Sequence, residues 1–150
     1  MLRVPVHIFE ECVRMMATCG GGRCECVTYW TGPVGDKMAV DGWEHPTHRR
    51  SPFGYQVDNT WLTQYWFQLA RQGRAIRAQV HTHPGLAFHS ETDDHWPVVS
   101  QQGFISIVIP NFAMGPVGLD KMWAGILTAG GDWRQVPISS IVEVLDDNAA

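Results

Sequence analysis

The chain has no apolar run approaching the ~18 residues that would suggest a membrane-spanning helix, and Met1-Leu2-Arg3 does not lead into the basic-then-apolar pattern of a secretory leader. A cytoplasmic protein with no membrane partner is the expectation. Positive charge is also in short supply: 11 Lys+Arg stand against 15 Asp+Glu, a formal net charge of -4. That balance argues against a nucleic-acid footprint built on phosphate contacts. The one locally basic run, His48-Arg49-Arg50, reads as a solvated loop or, alternatively, as a docking point for an acidic partner. Cysteine is sparse. Cys12, Cys19, Cys24 and Cys26 all fall within the first 26 residues, with no CxxC pair and no second cluster for a four-thiolate zinc site. They read as reduced thiols that pack as small apolar side chains. No repeat, low-complexity tract or linker divides the 150 residues, so one domain with its own core is expected over 1–150.

What is present is a regular alternation of helix and strand signals. Ile8, Cys12, Met15, Met16 and Cys19 recur at helical spacing between Pro5 and Gly20-Gly21-Gly22, which predicts a helix over 6–19. Cys24 to Thr31 reads as a strand, on which Glu25 would share a face with Val27 and Tyr29. A polar, turn-rich stretch follows, with one weak strand around Lys37–Asp41 and a loop over 42–58. Trp61, Leu62, Tyr65, Trp66 and Leu69 then mark an amphipathic helix, capped by Asp58 or Asn59 and stopped near Gly73. Ala75–His83 reads as a strand, with Ile76, Ala78 and Val80 on one face and Arg77, Gln79 and His81 on the other. A short helix from Ser90, weakened at Pro97, precedes a covered strand over Phe104–Ile109. Segments Met122–Ala129, Trp133–Pro137 and Ser140–Leu145 would complete the sheet, the first two as a hairpin around Gly130-Gly131-Asp132.

Chemistry concentrates in thirteen residues, from His81-Thr82-His83-Pro84 to Ser90-Glu91-Thr92-Asp93. Residues two apart on a strand project to the same side, so His81 and His83 can reach one metal while Thr82 points away. An acid from the following loop would be a third ligand, leaving a fourth position for water as catalytic zinc sites do. Asp93 has a competing reading, because Ser three residues ahead of an acid is the capping-box pattern of a helix start; Asp94 is the neighbouring alternative ligand. His89 and His95 are further outer or surface candidates. Glu25 is either an edge-strand residue facing water or a buried carboxylate placed to act as a general base.

These residues together resemble the JAMM (JAB/MPN-type) zinc metalloproteases, in particular the bacterial JAB branch. The family pattern, a glutamate after the first helix, then His-x-His-Pro, then Ser-x-x-Asp, falls here on Glu25, on His81, His83 and Pro84, and on Ser90 and Asp93. The loop from Pro84 to His89 is one residue shorter than is usual in that family. The resemblance covers about 5–130. It implies an α/β fold, a single JAB/MPN-like (cytidine-deaminase-like) domain with a mixed curved sheet flanked by about three helices. It also implies one zinc ion on His81, His83 and Asp93, with Glu25 and Ser90 catalytic. The implied activity is that of a deubiquitinase-like isopeptidase, cleaving at the carboxyl terminus of a ubiquitin-like protein beside activating- and conjugating-enzyme-like partners. Alternatives are a zinc-binding scaffold without activity, or a hydrolase of a small amide or sulfur-carrier conjugate. A zinc nucleobase deaminase is disfavoured, because its Pro-Cys-x-x-Cys is lacking.

Overall fold

Proline fixes φ and has no N–H to leave unpaired, which suits Pro5 to its place between a first strand, β1 (Leu2–Pro5), and a first helix, α1 (Val6–Gly20). Ile8, Cys12 and Met16 line the buried face of α1, and the helix stops where Gly21 turns left-handed at φ 58. The helix expected over 6–19 is therefore present, whereas β1, only four residues long, offered no periodicity to read. The computed structural model describes residues 1–90, 93 and 97–147.

In chain order the remaining elements are β2 (Val27–Pro33), β3 (Gly42–Glu44), β4 (His48–Ser51), β5 (Gly54–Val57), α2 (Asn59–Gln72), β6 (Arg74–Thr82), β7 (Ile105–Ile109), β8 (Trp123–Leu127), β9 (Trp133–Gln135) and β10 (Val142–Leu145). Asp58 caps α2 by accepting the Trp61 N–H at 2.8 Å, and Gly73 ends it at φ 63. Six strands form one mixed sheet in the order β3-β2-β6-β7-β8-β9. Within it β6 and β7 run parallel, and every other neighbouring pair runs antiparallel. The α/β class expected from the sequence is the class found.

Two packed layers cover the sheet. On one face α1, β1 and β10 bury Val4, Met16, Trp30, Val80 and Ile107. On the other, α2 brings Tyr65 and Leu69 against Val27, Tyr29, Phe104 and Leu127. Trp66, placed in the core stripe by its spacing, instead turns outward and is 39% exposed.

Several expectations are corrected. The strand with Glu25 starts at Val27, not Cys24, so Glu25 lies in the bend that enters it. The Lys37–Asp41 segment contributes only an isolated bridge between Ala39 and Arg3, and the strand pairing with β2 is β3. The loop over 42–58 in fact contains β3 and an antiparallel ribbon of β4 and β5. Arg49, Arg50, Ser51 and Gln56 all face water there, and only Tyr55 and Val57 turn inward, too short an alternation to betray the strands. Ile76 does not share a face with Ala78 and Val80: Trp30 pairs with Ala78 but Thr31 with Ile76. Arg77 is thus an extra residue in β6, a bulge that turns Ile76 to the α2 side. Finally, β10 pairs in parallel with β1 and does not join the main sheet. Two α-helices are present among the described residues; the short helix expected from Ser90 falls largely outside them.

Candidate metal centre

The parallel crossover from β6 to β7 carries the motif. His81 pairs with Val27 across the sheet, so the carboxyl end of β6 meets the bend before β2. Thr82 clamps this meeting from the face turned away from the histidines. Its backbone N–H donates to the Cys26 carbonyl at 3.0 Å, and its hydroxyl oxygen accepts the Cys26 N–H at 2.9 Å. Glu25 is held from its other side, its N–H donating to the Ser51 carbonyl of β4 at 2.9 Å. His83 sits just past the strand. Its N–H donates to Ile109, and its carbonyl accepts from Phe112 at 2.8 Å. The latter bond belongs to a turn in which Asn111, Phe112 and Ala113 all adopt positive φ (55, 53 and 60). Such conformations cost about 1–2 kcal/mol each for residues with a Cβ. They stand directly behind His83, and strain of this kind collects at functional sites.

The side chains converge. His81 is 0% exposed, and both Glu25 and His83 are 4% exposed. His81 Nε2 and His83 Nε2 approach the same Asp93 oxygen, Oδ2, at 3.1 and 3.2 Å. Glu25 and the two imidazoles place one ligand atom each within 4.8 Å of one another. The water-facing alternative for Glu25 is thereby removed. Asp93 does not choose between capping and facing the histidines, because the same Oδ2 also accepts the Ser90 N–H at 2.9 Å. Ser90 Oγ accepts the Asp93 N–H at 3.1 Å in return, which leaves the hydroxyl proton available to donate elsewhere. Asp94 and His95 lie outside the described residues.

Electrostatics separate the two acids. Burial pushes the Glu25 carboxyl up to about 7, with His83 lowering it and Asp93 raising it. Burial also pushes Asp93 up, but the bonds with His81 and His83, the charge of His81 and the Ser90 N–H prevail. They hold its carboxyl well below the ordinary range. One carboxylate is therefore firmly ionised while its neighbour is poised to exchange a proton near neutrality. Two imidazoles and an ionised carboxylate gathered on one buried point, with no Lys or Arg paired to that carboxylate among the described residues, fit a divalent metal.

Residues outside the motif complete the surroundings. Tyr55 of β5 packs on His81 with ring centroids 5.3 Å apart. Its phenol is pushed well above the ordinary value by burial, then by the charges of Asp93, Tyr29 and Glu25. His89, an outer candidate, stacks on Trp123 at 4.5 Å and lies 3.1 Å from Ser106 Oγ, which also accepts from Gln79. His89 thus anchors the loop that delivers Ser90. In the sequence His89 is marked by its place beside the motif and Gln79 only by sharing a strand face with His81, whereas Tyr55 carries no signal.

The fold and cluster define a mixed α/β protein with a candidate metal centre at a strand end. No family model matches the chain. It is 38% identical over 77 residues, 51% of its own length, to a probable metalloprotease, y4jG, of Sinorhizobium fredii (strain NBRC 101917 / NGR234). The chain spans about half the length of that curated relative, the match covering 48% of it. Among solved structures, protein DSY2949 from Desulfitobacterium hafniense aligns with a TM-score of 0.68 at 13% identity, covering 99% of this chain and 97% of the other. A protein from Salinibacter ruber aligns at 0.58 and 15%, covering 99% and 93%. AF2198, a JAB1/MPN domain protein from Archaeoglobus fulgidus, aligns at 0.46 and 12%, covering 95% and 97%. In the order of Glu25, His81, His83, Ser90 and Asp93 along its length, the chain resembles the JAMM (JAB/MPN-type) metalloproteases.

Proposed function

We propose that this protein is a zinc-dependent hydrolase that cleaves a peptide or isopeptide bond at the carboxyl terminus of a ubiquitin-like protein. His81, His83 and Asp93 would hold the ion. When bound, it supplies the Lewis acidity that makes water nucleophilic near neutral pH. Glu25 takes the proton of the attacking water and passes it to the departing amine, a task suited to a carboxyl poised near 7. Ser90 donates its free hydroxyl proton to the oxyanion on the substrate carbonyl. The observation that carries this reading is the burial of Glu25 beside two imidazoles that share one Asp93 oxygen.

The ubiquitin-like substrate rests on the resemblance, as do work in the cytoplasm and association with activating- and conjugating-enzyme-like partners. Exposed Leu86 and Phe88, in the loop after His83, offer apolar contacts for an extended peptide.

The test measures zinc content and cleavage of a carboxyl-terminal fusion to a ubiquitin-like protein. Wild type is expected to bind zinc and cleave, Glu25→Gln to bind zinc without cleaving, and His83→Ala to lose both. Cleavage retained in both variants overturns the mechanism. Zinc binding without cleavage of any fusion or short peptide by wild type identifies a scaffold. Equal cleavage of the fusion and of a short peptide with the same scissile bond identifies a small-amide hydrolase.

A further inference from the structure

A second group of donors gathers beyond the bend that holds Glu25. Cys19 lies in the last turn of α1, Cys26 immediately precedes β2, and His45 and His48 flank the turn from β3 to β4. Their Sγ and ring nitrogen atoms all lie within 4.8 Å of one another, although three separate segments supply them. Cys26 Sγ is 3.5 Å from His45 Nε2, and Cys19 Sγ is 3.8 Å from His48 Nε2. Around a tetrahedral zinc with Zn–S of about 2.3 Å and Zn–N of about 2.0 Å, sulfur and nitrogen ligands stand about 3.5 Å apart. Both pairs therefore already have the spacing of tetrahedral edges.

The outer contacts suit the same purpose. His48 Nδ1 lies 2.8 Å from the Pro46 carbonyl, which fixes the proton on Nδ1 and leaves the Nε2 lone pair directed at Cys19. A ligating histidine is oriented by this kind of bond. Arg50 donates to the Cys19 carbonyl, and its Nη1 stands 3.8 Å from the Cys19 sulfur. No disulfide ties these thiols, and Cys26 is fully buried.

We propose that Cys19, Cys26, His45 and His48 form a second zinc site, structural in kind. Four protein ligands close the tetrahedron and leave no open position for substrate. Binding releases the two thiol protons to solvent. The resulting thiolates cancel the charge of the ion, so a neutral complex occupies a half-buried place. The site would tie the end of α1, the bend before β2 and the β4–β5 ribbon together. That matters for the first cluster, because Cys26 adjoins Glu25, Ser51 holds the Glu25 N–H, and Tyr55 lies on His81.

The test loads the full chain with zinc, and separately with cobalt. Wild type is expected to bind two zinc ions and, with cobalt, to show thiolate-to-metal charge-transfer absorption. His81→Ala/His83→Ala should bind one zinc and keep that absorption; Cys19→Ser/His48→Asn should bind one zinc and lose it. The first cluster has no sulfur, so the absorption reports the second site whether or not the protein is a hydrolase. Absence of the absorption from cobalt-loaded wild type overturns the proposal, even if the cysteine variant fails to fold. A Cys19–Cys26 disulfide in the reduced-buffer preparation overturns it equally.

Discussion

The Glu25 carboxyl, raised by burial, makes a pH dependence that can be isolated. In the metal-free protein the folded chain keeps this proton until about pH 7, whereas an unfolded glutamate loses it near the ordinary value of 4.5. The stability contributed below 4.5 is therefore lost as pH rises to about 7. The neutral variant Glu25→Gln escapes that loss. Its advantage in denaturant melts should be near zero below pH 4.5 and grow to at most about 3 kcal/mol by pH 7; a difference that ignores pH would show that the carboxyl is not buried. Ser90→Ala should cut kcat by about 10²–10³ with zinc content unchanged, since the Asp93 carboxylate is held by the Ser90 backbone N–H while the hydroxyl accepts only the Asp93 backbone N–H. Thr82→Val leaves the Cys26 N–H without its acceptor, a cost of about 1–3 kcal/mol readable by urea melts. At this scale the histidine pair was legible because period-two geometry alone predicts convergence. Thr82 and Tyr55 were not, since one acts from the averted face and the other from a ribbon far from the motif in sequence.

Elements support the site through contacts that a single residue can spoil. Trp123 lies flat across Gly125 in β8, where an added Cβ would fall 2.3 Å from the indole ring. The same indole stacks on His89 at an interplanar angle of 9°. Gly125→Val should lift Trp123, loosen the loop that delivers Ser90, and lower kcat/KM by about 10², the effect of a misplacement near 1 Å. Zinc should still bind, because His81 and His83 are fixed by the sheet and not by this loop, but more weakly, because Ser90 holds the Asp93 carboxylate. Both helices could be read from the sequence: each has a 3.6-residue apolar period and a glycine stop, and α2 also has an aspartate cap. The β4–β5 ribbon could not, because its inward side is only Tyr55 and Val57, too short an alternation to mark a strand.

For the whole molecule, strand positions were more legible than strand partners. The parallel step from β6 to β7 and the bulge at Arg77 depend on contacts distant in sequence, which local periodicity cannot encode. None of the helices among the described residues is long and apolar enough to cross a membrane. If metal binds only the native chain, chelation should lower the melting temperature, by the equivalent of about 4 kcal/mol where free zinc is a thousandfold above its Kd. An unchanged melt would mean that neither cluster binds metal under those conditions. The pairing of β1 with β10 has a consequence of a different kind. Leu2 and Val4 are buried against β10, whose Val142 lies 140 residues after Leu2, so during synthesis they wait until that strand has left the ribosome. The α1 layer can be sealed only after translation has passed Leu145, and a nascent chain stalled before Val142 should remain open to protease and to chaperone capture.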